Sequence, residues 1–515
     1  MPAVPVAVIV AALDRAGLLV SAPAPAAGLE RITGITDDSR AAVKGGAFVA
    51  VRGTSADGHD FISAARAAGA TLVIAEDAAR ANGGAVGGAV GGAVGGVIIV
   101  RDARRAAAVA AAAFYGNPSE GMRLVAVTGT NGKTTTVGML RHLLDAPAPN
   151  APAASIGTLG VLVGSAGESV DGGAGLTTPG PVELQRLLRL LADRGVRTVA
   201  MEVSSHALAQ ERIGGIAFDA AVFTNLTRDH LDYHGTMASY LAAKASLVAH
   251  LAPGGAVVVN ADDAAWEALP AAPRRTTFGT EADCDVRASR VTYGPRGSHF
   301  TLVAAGASAA VTLPLIGDFN VINALGAAAA AMALGEPVAL VAERLSNMPQ
   351  VPGRLDRVGE RPVVLRDYAH TPDALERALK ALRPFVPGRL IVVFGAGGDR
   401  DAGKRPLMGA VAAKHADLIV LTSDNPRTEN PEQIMDDIAA ALPTGGYERI
   451  EDRRAAIERA IALADPECDL VLLAGKGHED YQVRGTQKLR FDEREIVGEI
   501  MAALAAAADR AGVTN

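Results

Sequence analysis

Gly129-Thr130-Asn131-Gly132-Lys133-Thr134-Thr135 stands directly after the apolar run 124–127 and opens the helical pattern 134–144. Glycines let a backbone turn tightly enough to aim its N–H groups at phosphate oxygens. The N-terminus of the following helix adds positive dipole character. Lys133 can neutralise charge on terminal phosphates, and Thr134 can place a hydroxyl on magnesium. The same residues could be a plain glycine turn capping a helix. The coincidence of strand, glycines, Lys-Thr and helix favours a phosphate loop. The common template is G-x-x-x-x-G-K-[ST], but Thr128 to Lys133 reads T-G-T-N-G-K, with the first glycine one place late.

Two further strings are rich in ligand-type side chains. Glu202-Val203-Ser204-Ser205-His206 puts a carboxylate at the end of a strand-like run, where it can hold a hard cation. Thr224 to Gly235 carries Asn225, Arg228, Asp229, His230, Asp232 and His234 just after the run 220–223. Further on, Asp424-Asn425-Pro426-Arg427 follows the run 418–422. Asn-Pro alone favours a turn. An arginine there can also grip a carboxylate through two parallel hydrogen bonds, which a lysine cannot imitate.

Three sets of elements must position these groups. From 30 to 108, short strand-like runs (47–51, 72–75, 97–100) alternate with alanine-rich helical stretches. Residues 83–96 repeat Gly-Gly-Ala-Val, with few side chains to bury and a large backbone entropy to lose, and are expected to form a surface loop. From Met122, runs at 124–127, 198–201 and 220–223 alternate with helical patterns, as in a parallel sheet with crossover helices. A polar, strand-rich stretch follows at 274–314, then an alanine-rich helix around 323–334. After Pro349, Pro352 and Gly353 the alternation resumes, with strands at 363–366, 390–394, 418–422 and 470–474. Ligands of such doubly wound sheets bind at the carboxyl ends of the strands. The expected fold class is α/β in three domains: 1–108, a central mostly parallel P-loop-type sheet at 109–350, and a Rossmann-like domain at 351–515.

The length of 515 residues agrees with about three domains. With 49 basic against 56 acidic residues the net charge is −7, which advertises no nucleic-acid surface. Cys284 and Cys468 cannot build a disulfide framework or a four-cysteine zinc site, and a reducing cytoplasm is the simplest setting. The apolar start lacks a basic n-region and is interrupted at Asp14 and Arg15, so an amphipathic helix without membrane insertion is expected.

The variant T-G-T-N-G-K-T-T resembles the phosphate loop of the Mur ligases and the related folylpolyglutamate synthetases, and the resemblance runs from about 30 to 495. It implies ATP bound by Gly129, Thr130, Asn131, Gly132, Lys133, Thr134 and Thr135, with Asn320, Arg354, Asp367 and His370 completing the nucleotide site. The segment around Asp229-His230-Leu231-Asp232 is similar to the family's metal-supporting motif. It implies two magnesium ions held by Thr134, Glu202, His230 and a carbamylated Lys244, with Lys133, His230 and Lys244 as catalytic groups. By composition alone Lys244 is a solvated helix lysine. The stretch Phe394 to Asp401 resembles the family's C-terminal glycine turn, with Ala396 where the family usually has Cys.

Asp-Asn-Pro-Arg resembles the motif of the diaminopimelate-adding type, and lysine-adding relatives lack the arginine. It implies an amino-acid pocket of Arg400, Asp424, Asn425, Pro426, Arg427, Gly475 and Glu479. Ser39 and Thr54-Ser55-Ala56 match the uridine-diphosphate contacts of that type. Thr177, Thr178, Ser204, Gln210 and Arg212 match its contacts to the muramoyl-peptide. The implied activity is an ATP-dependent ligase in peptidoglycan precursor synthesis. A D-glutamate γ-carboxylate would attack the γ-phosphate of ATP, and an amine of diaminopimelate would attack the acyl phosphate. Only small-molecule partners, a monomer and domain closure are expected. The rivals are the same ligase using L-lysine, a folylpolyglutamate synthetase, which would leave the first domain without a job, and a non-catalytic nucleotide switch.

Overall fold

Runs rich in Val, Ile, Leu and Ala, buried on both faces, alternate along this chain with amphipathic helices, and the result is parallel sheets covered by helices. The computed structural model describes residues 3–23, 30–53, 56–82, 96–145, 152–173, 176–280 and 283–512. Most of the Gly-Gly-Ala-Val repeat, and Thr54 and Ser55, lie outside the described residues. Two compact units separate. The first holds described residues of 1–287, 303–307 and 322–344, and the second those of 288–302, 308–321 and 345–515.

Among the described residues the first unit contains two large sheets, beside a short antiparallel pair of Val4–Pro5 with Arg31–Ile32. Near the N-terminus the strand order is Leu19–Ser21, Gly96–Val100, Leu72–Ala75, Ala47–Val49, Ile35–Thr36, parallel except for Leu19–Ser21. Helix Val6–Arg15 buries Val6, Ile9, Ala12 and Leu13, the stripe of an amphipathic helix, against this sheet. Among the described residues no helix is long and apolar enough to cross a membrane. Helix Ala103–Phe114 is buried on nearly every side, because its other face packs on helix Pro181–Asp193 of the second sheet's layer. Val182 thereby joins the N-terminal core, and this seam makes the two layers one unit.

The second sheet runs Glu168–Val170, Gly160–Val163, Ala153–Gly157, Thr198–Glu202, Arg123–Thr128, Phe218–Phe223, Leu251–Asn260, Arg274–Gly279. From Ala153–Gly157 onward these strands are parallel. Four of them end side by side at Gly157, Glu202, Thr128 and Phe223, so the loops that follow open on one edge. The polar stretch after Arg274 forms strands as expected, at Val286–Gly294, Gly297–Ala304 and Ala307–Leu313.

The second unit holds a six-stranded sheet, in the order Asp356–Glu360, Val363–Asp367, Leu470–Ala474, Leu390–Phe394, Leu418–Leu421, Glu448–Arg449, with only the first strand antiparallel. Helices cover both faces over two separate cores. A fully buried ion pair, Arg453 with Glu493 at 2.7 Å, ties a helix to the sheet, for Arg453 also donates to the Ala474 carbonyl at 3.0 Å. The carboxyl ends of the parallel strands again share an edge, occupied by the segments after Asp367, Ala474, Phe394 and Leu421.

Candidate active site

In the first unit the phosphate loop is held from outside by the segment after strand Phe218–Phe223. Thr130 N donates to Asn225 O at 2.7 Å and Asn131 N to Asn225 Oδ1 at 2.9 Å. Asn131 O accepts from Thr224 Oγ1 at 2.7 Å and from Asn225 Nδ2 at 3.2 Å. Gly132 has φ +85° and opens helix Lys133–Leu143; a Cβ there would also strike Asn323 Oδ1. Thr134 and Thr135 are buried at the first turn. Lys133 Nζ donates to two carbonyls of its own loop, Gly129 at 2.9 Å and Thr130 at 2.8 Å.

Lys244 is buried to 1% exposure rather than solvated, and its Nζ donates to Gly129 O at 2.8 Å. It lies 4.5 Å from the centre of the Tyr240 ring, whose hydroxyl meets Thr130 Oγ1 at 3.2 Å. Burial, and next the Lys133 charge, hold the Lys244 amine well below the ordinary lysine range. His230 sits in a left-handed conformation, φ 52°, with its ring 4.7 Å from that of His206. Burial lowers His230, with Asp229 opposing.

Glu202 is buried at the end of its strand, where Thr158 N donates to Oε1 at 2.8 Å and Thr158 Oγ1 to Oε2 at 3.1 Å. One polar network continues from it. Thr178 Oγ1 donates to Glu202 O at 2.9 Å and accepts from Ser204 N at 3.0 Å. Arg212 donates to Thr178 O at 2.9 Å and to Gln210 Oε1 at 2.7 Å. Thr177 Oγ1 lies 3.4 Å from Thr158 Oγ1. Thr177, Thr178, Ser204, Gln210 and Arg212, scattered in sequence, are thus gathered beside Glu202.

In the N-terminal sheet, Ser39 follows strand Ile35–Thr36 and Ala56 follows Ala47–Val49. These strands are adjacent and parallel, so both loops lie on one edge. The turn at Ala56 is closed by Gly53 N to Ala56 O at 2.8 Å and by a bridge between Arg52 and Asp57. Although burial opposes it, hydrogen bonds from His59 and Arg80 hold the Asp57 carboxyl far below its usual range.

The residues expected to form an amino-acid pocket come from different strand ends of the second unit. Arg427 has φ 52° and donates through Nη1 to Gly398 O at 2.7 Å; a Cβ at Gly397 would lie 2.9 Å from that nitrogen. Asn425 Nδ2 donates to Glu479 Oε2 at 2.8 Å. Asp424 is buried, and a Cβ at Gly475 (φ +114°) would come within 2.5 Å of its Oδ2. Pro426 O sits against Gly398, where no Cβ fits. Arg400 is exposed and bonds Asp399 O at 3.1 Å. Around the next strand end, Asp367 Oδ2 accepts from Leu355 N at 2.7 Å, and Arg354 lies 5.0 Å from the centre of the Tyr368 ring. His370 bonds Tyr368 O at 2.9 Å. Asn320 turns its amide onto Ile316 O at 2.8 Å; the asparagine at Gly132 is Asn323, one turn further on.

Residues 127–331 match the Mur ligase middle domain, 353–477 the Mur ligase, glutamate ligase domain, and 31–115 the Mur ligase family, catalytic domain. The chain belongs to the Mur ligase family. It is 45% identical over 476 residues to the UDP-N-acetylmuramoyl-L-alanyl-D-glutamate--2,6-diaminopimelate ligase of Gloeobacter violaceus, covering 91% of this chain and 94% of that one. The same-named protein of Synechococcus elongatus is 45% identical over 472 residues, covering 90% and 93%. A solved structure of a ligase of that name superposes with a TM-score of 0.63 at 34% identity, over 92% of this chain and 96% of that one.

In this Mur ligase the structure gives some residues supporting contacts that the sequence assigned to none of them individually. Thr158 holds Glu202, Thr224 and Asn225 hold the loop, Tyr240 sits under Lys244, and Lys476 reaches Asn425. Gly157-Thr158 and Gly475-Lys476-Gly477 each follow a buried strand, which was the available signal. For magnesium the donor set is sparse: among the described residues no three His, Cys, Asp or Glu side chains converge. One carboxylate, Glu202, and one hydroxyl, Thr134, beside a phosphate loop nevertheless suit that ion, which takes few protein ligands and fills its shell with phosphate oxygens and water.

Proposed function

We propose that this Mur ligase joins meso-diaminopimelate to the γ-carboxylate of the D-glutamate in UDP-N-acetylmuramoyl-L-alanyl-D-glutamate, at the expense of ATP and through an acyl phosphate. The observation that carries the reading is the setting of Arg427. Its guanidinium bonds the glycine turn 397–398 at a strand end, on a tetrad whose Asn425 holds Glu479, in a chain whose 45%-identical relatives bear the name of that ligase. Such a guanidinium can grip the carboxylate that distinguishes diaminopimelate from lysine.

ATP phosphates lie against the N–H groups of 129–135, and Lys133 exchanges its loop carbonyls for phosphate oxygens, countering charge on the transferring phosphoryl group. Thr177, Thr178, Ser204, Gln210 and Arg212 orient the peptidyl carboxylate, and Ser39 with the turn 54–56 holds the uridine diphosphate. Arg354, Asp367 and His370, which share a strand end of the second unit, have the chemistry to contact a nucleoside. Burial lowers the proton affinity of Lys244 and so favours the neutral amine, the form that adds carbon dioxide, and a carbamate there turns a buried donor into an anionic ligand. Magnesium held by Thr134, Glu202, His230 and that carbamate would supply neutralisation of phosphate charge. The carboxylate oxygen forms a bond to the γ-phosphorus as the bond to ADP breaks. The neutral amine of diaminopimelate then forms the amide and phosphate leaves.

Phosphate release with the nucleotide dipeptide, ATP and each amino acid in turn tests this. Release with meso-diaminopimelate and little with L-lysine is expected. Release with lysine alone, or none with either, would overturn it.

A further inference from the structure

Lys476 is a lysine with no exposed side-chain surface. It stands between Gly475 and Gly477, whose positive φ values, 114° and 56°, belong to backbone that side chains rarely adopt. A Cβ at Gly477 would also lie 2.7 Å from Tyr368 Cβ. The loop is therefore built to send one long side chain inward. Its ammonium lies 3.2 Å from Asn425 Oδ1 and 3.2 Å from Glu479 Oε2, with the Tyr481 and Phe491 ring centres at 5.7 and 5.9 Å.

A buried charge is tolerated only when paired, and an apolar side chain of the same length would serve packing better. What the ammonium adds is orientation. Asn425 Oδ1 accepts from both Lys476 Nζ and Val483 N, the latter at 2.9 Å, so Nδ2 must face Glu479 Oε2. Without the ammonium the amide loses one of the two donors that set its flip, and Glu479 loses its buried counter-charge. We infer that Lys476 is a positioning residue for the amino-acid substrate, fixing the Asn425 amide and the Glu479 carboxylate in the arrangement that receives diaminopimelate; this rests on the reading given under Proposed function.

The test is steady-state kinetics of Lys476→Met and Lys476→Gln in the full chain, with each of the three substrates varied. The expected result is a KM for diaminopimelate raised about tenfold or more, with KM for ATP and for the nucleotide dipeptide within about twofold. In a cycle with Glu479→Gln, the Lys476→Met/Glu479→Gln double variant should be no worse than the poorer single one, because both act through one network. An unchanged KM for diaminopimelate, an equal rise for all three substrates, additive effects, or failure of both variants to fold would overturn the inference, the last because Lys476 would then serve the fold. Absence of diaminopimelate-dependent phosphate release in the unmodified protein would instead sink the functional reading, so the two failures are distinct.

Discussion

Lys133 and Lys244 donate to one oxygen, the carbonyl of Gly129, at 2.9 and 2.8 Å. Two ammonium groups on one acceptor repel each other, and the buried one yields its proton more readily. Under the proposed function the two have different roles: Lys133 is the cation for phosphate, and Lys244, whose proton affinity burial lowers, is the site of modification. Lys133→Met should lower kcat by about a thousandfold, roughly 4 kcal/mol of transition-state stabilisation, as expected for a lost preorganised donor. Phosphate release at saturating substrates measures it, and a loss below tenfold would refute the role.

If Lys244 works as a carbamate, activity depends on carbon dioxide. Enzyme depleted of bicarbonate should lose most of its activity and regain it when bicarbonate is restored, faster at higher pH when the dissolved carbon dioxide concentration is held constant, because more of the amine is deprotonated. Its depressed proton affinity brings that dependence below the usual lysine range. Activity indifferent to bicarbonate, in a preparation whose Lys244 carries no added mass, would exclude the carbamate.

Arg427→Ala should raise KM for meso-diaminopimelate about 10- to 100-fold, the worth of a lost charge-assisted hydrogen bond of roughly 1.5–3 kcal/mol. The weaker use of L-lysine should hardly change. Equal losses with both amino acids would mean that Arg427 shapes the turn without reading the second carboxylate.

Burial pushes the Asp367 carboxyl up, against opposition from Arg354 and from the Leu355 and Ala369 N–H groups. A carboxyl whose folded proton affinity exceeds its unfolded one binds more protons folded than unfolded between the unfolded value of 3.8 and the raised one. Stability therefore falls as pH rises through that window, and stays lower above it. Asp367→Asn should remove this slope and be the more stable protein at neutral pH, as denaturant titrations across pH would show. A variant with the same slope as the parent would contradict the assignment.

The phosphate loop was readable because its chemistry is local: glycines, lysine and threonine act within one turn between a strand and a helix. The Arg427 tetrad taken alone could be a turn, and its reading as a carboxylate grip came from the family resemblance. Lys244 was not readable locally. By composition it belongs on a wet helix face, and it is buried only because helix Met237–Ala245 packs where Lys244 reaches the Gly129 carbonyl. Thr158 offered only a weak signal, its place after a glycine at a strand end, and its partner Glu202 is set by the parallel neighbouring strand.

Whereas the diaminopimelate reading of Arg427 needed the family resemblance, periodicity and glycine placement in the chain pointed by themselves to the α/β class, to strand ends as places for ligands and to 129–135 as a candidate phosphate loop. These are short-range properties, set by backbone freedom and side-chain type. Tertiary structure alone decided which distant residues share an acceptor, which lysines lose water, and that Asn425 faces Glu479 rather than the reverse. Those outcomes depend on strand order and on burial, and electrostatic energies change with burial far more than with sequence distance.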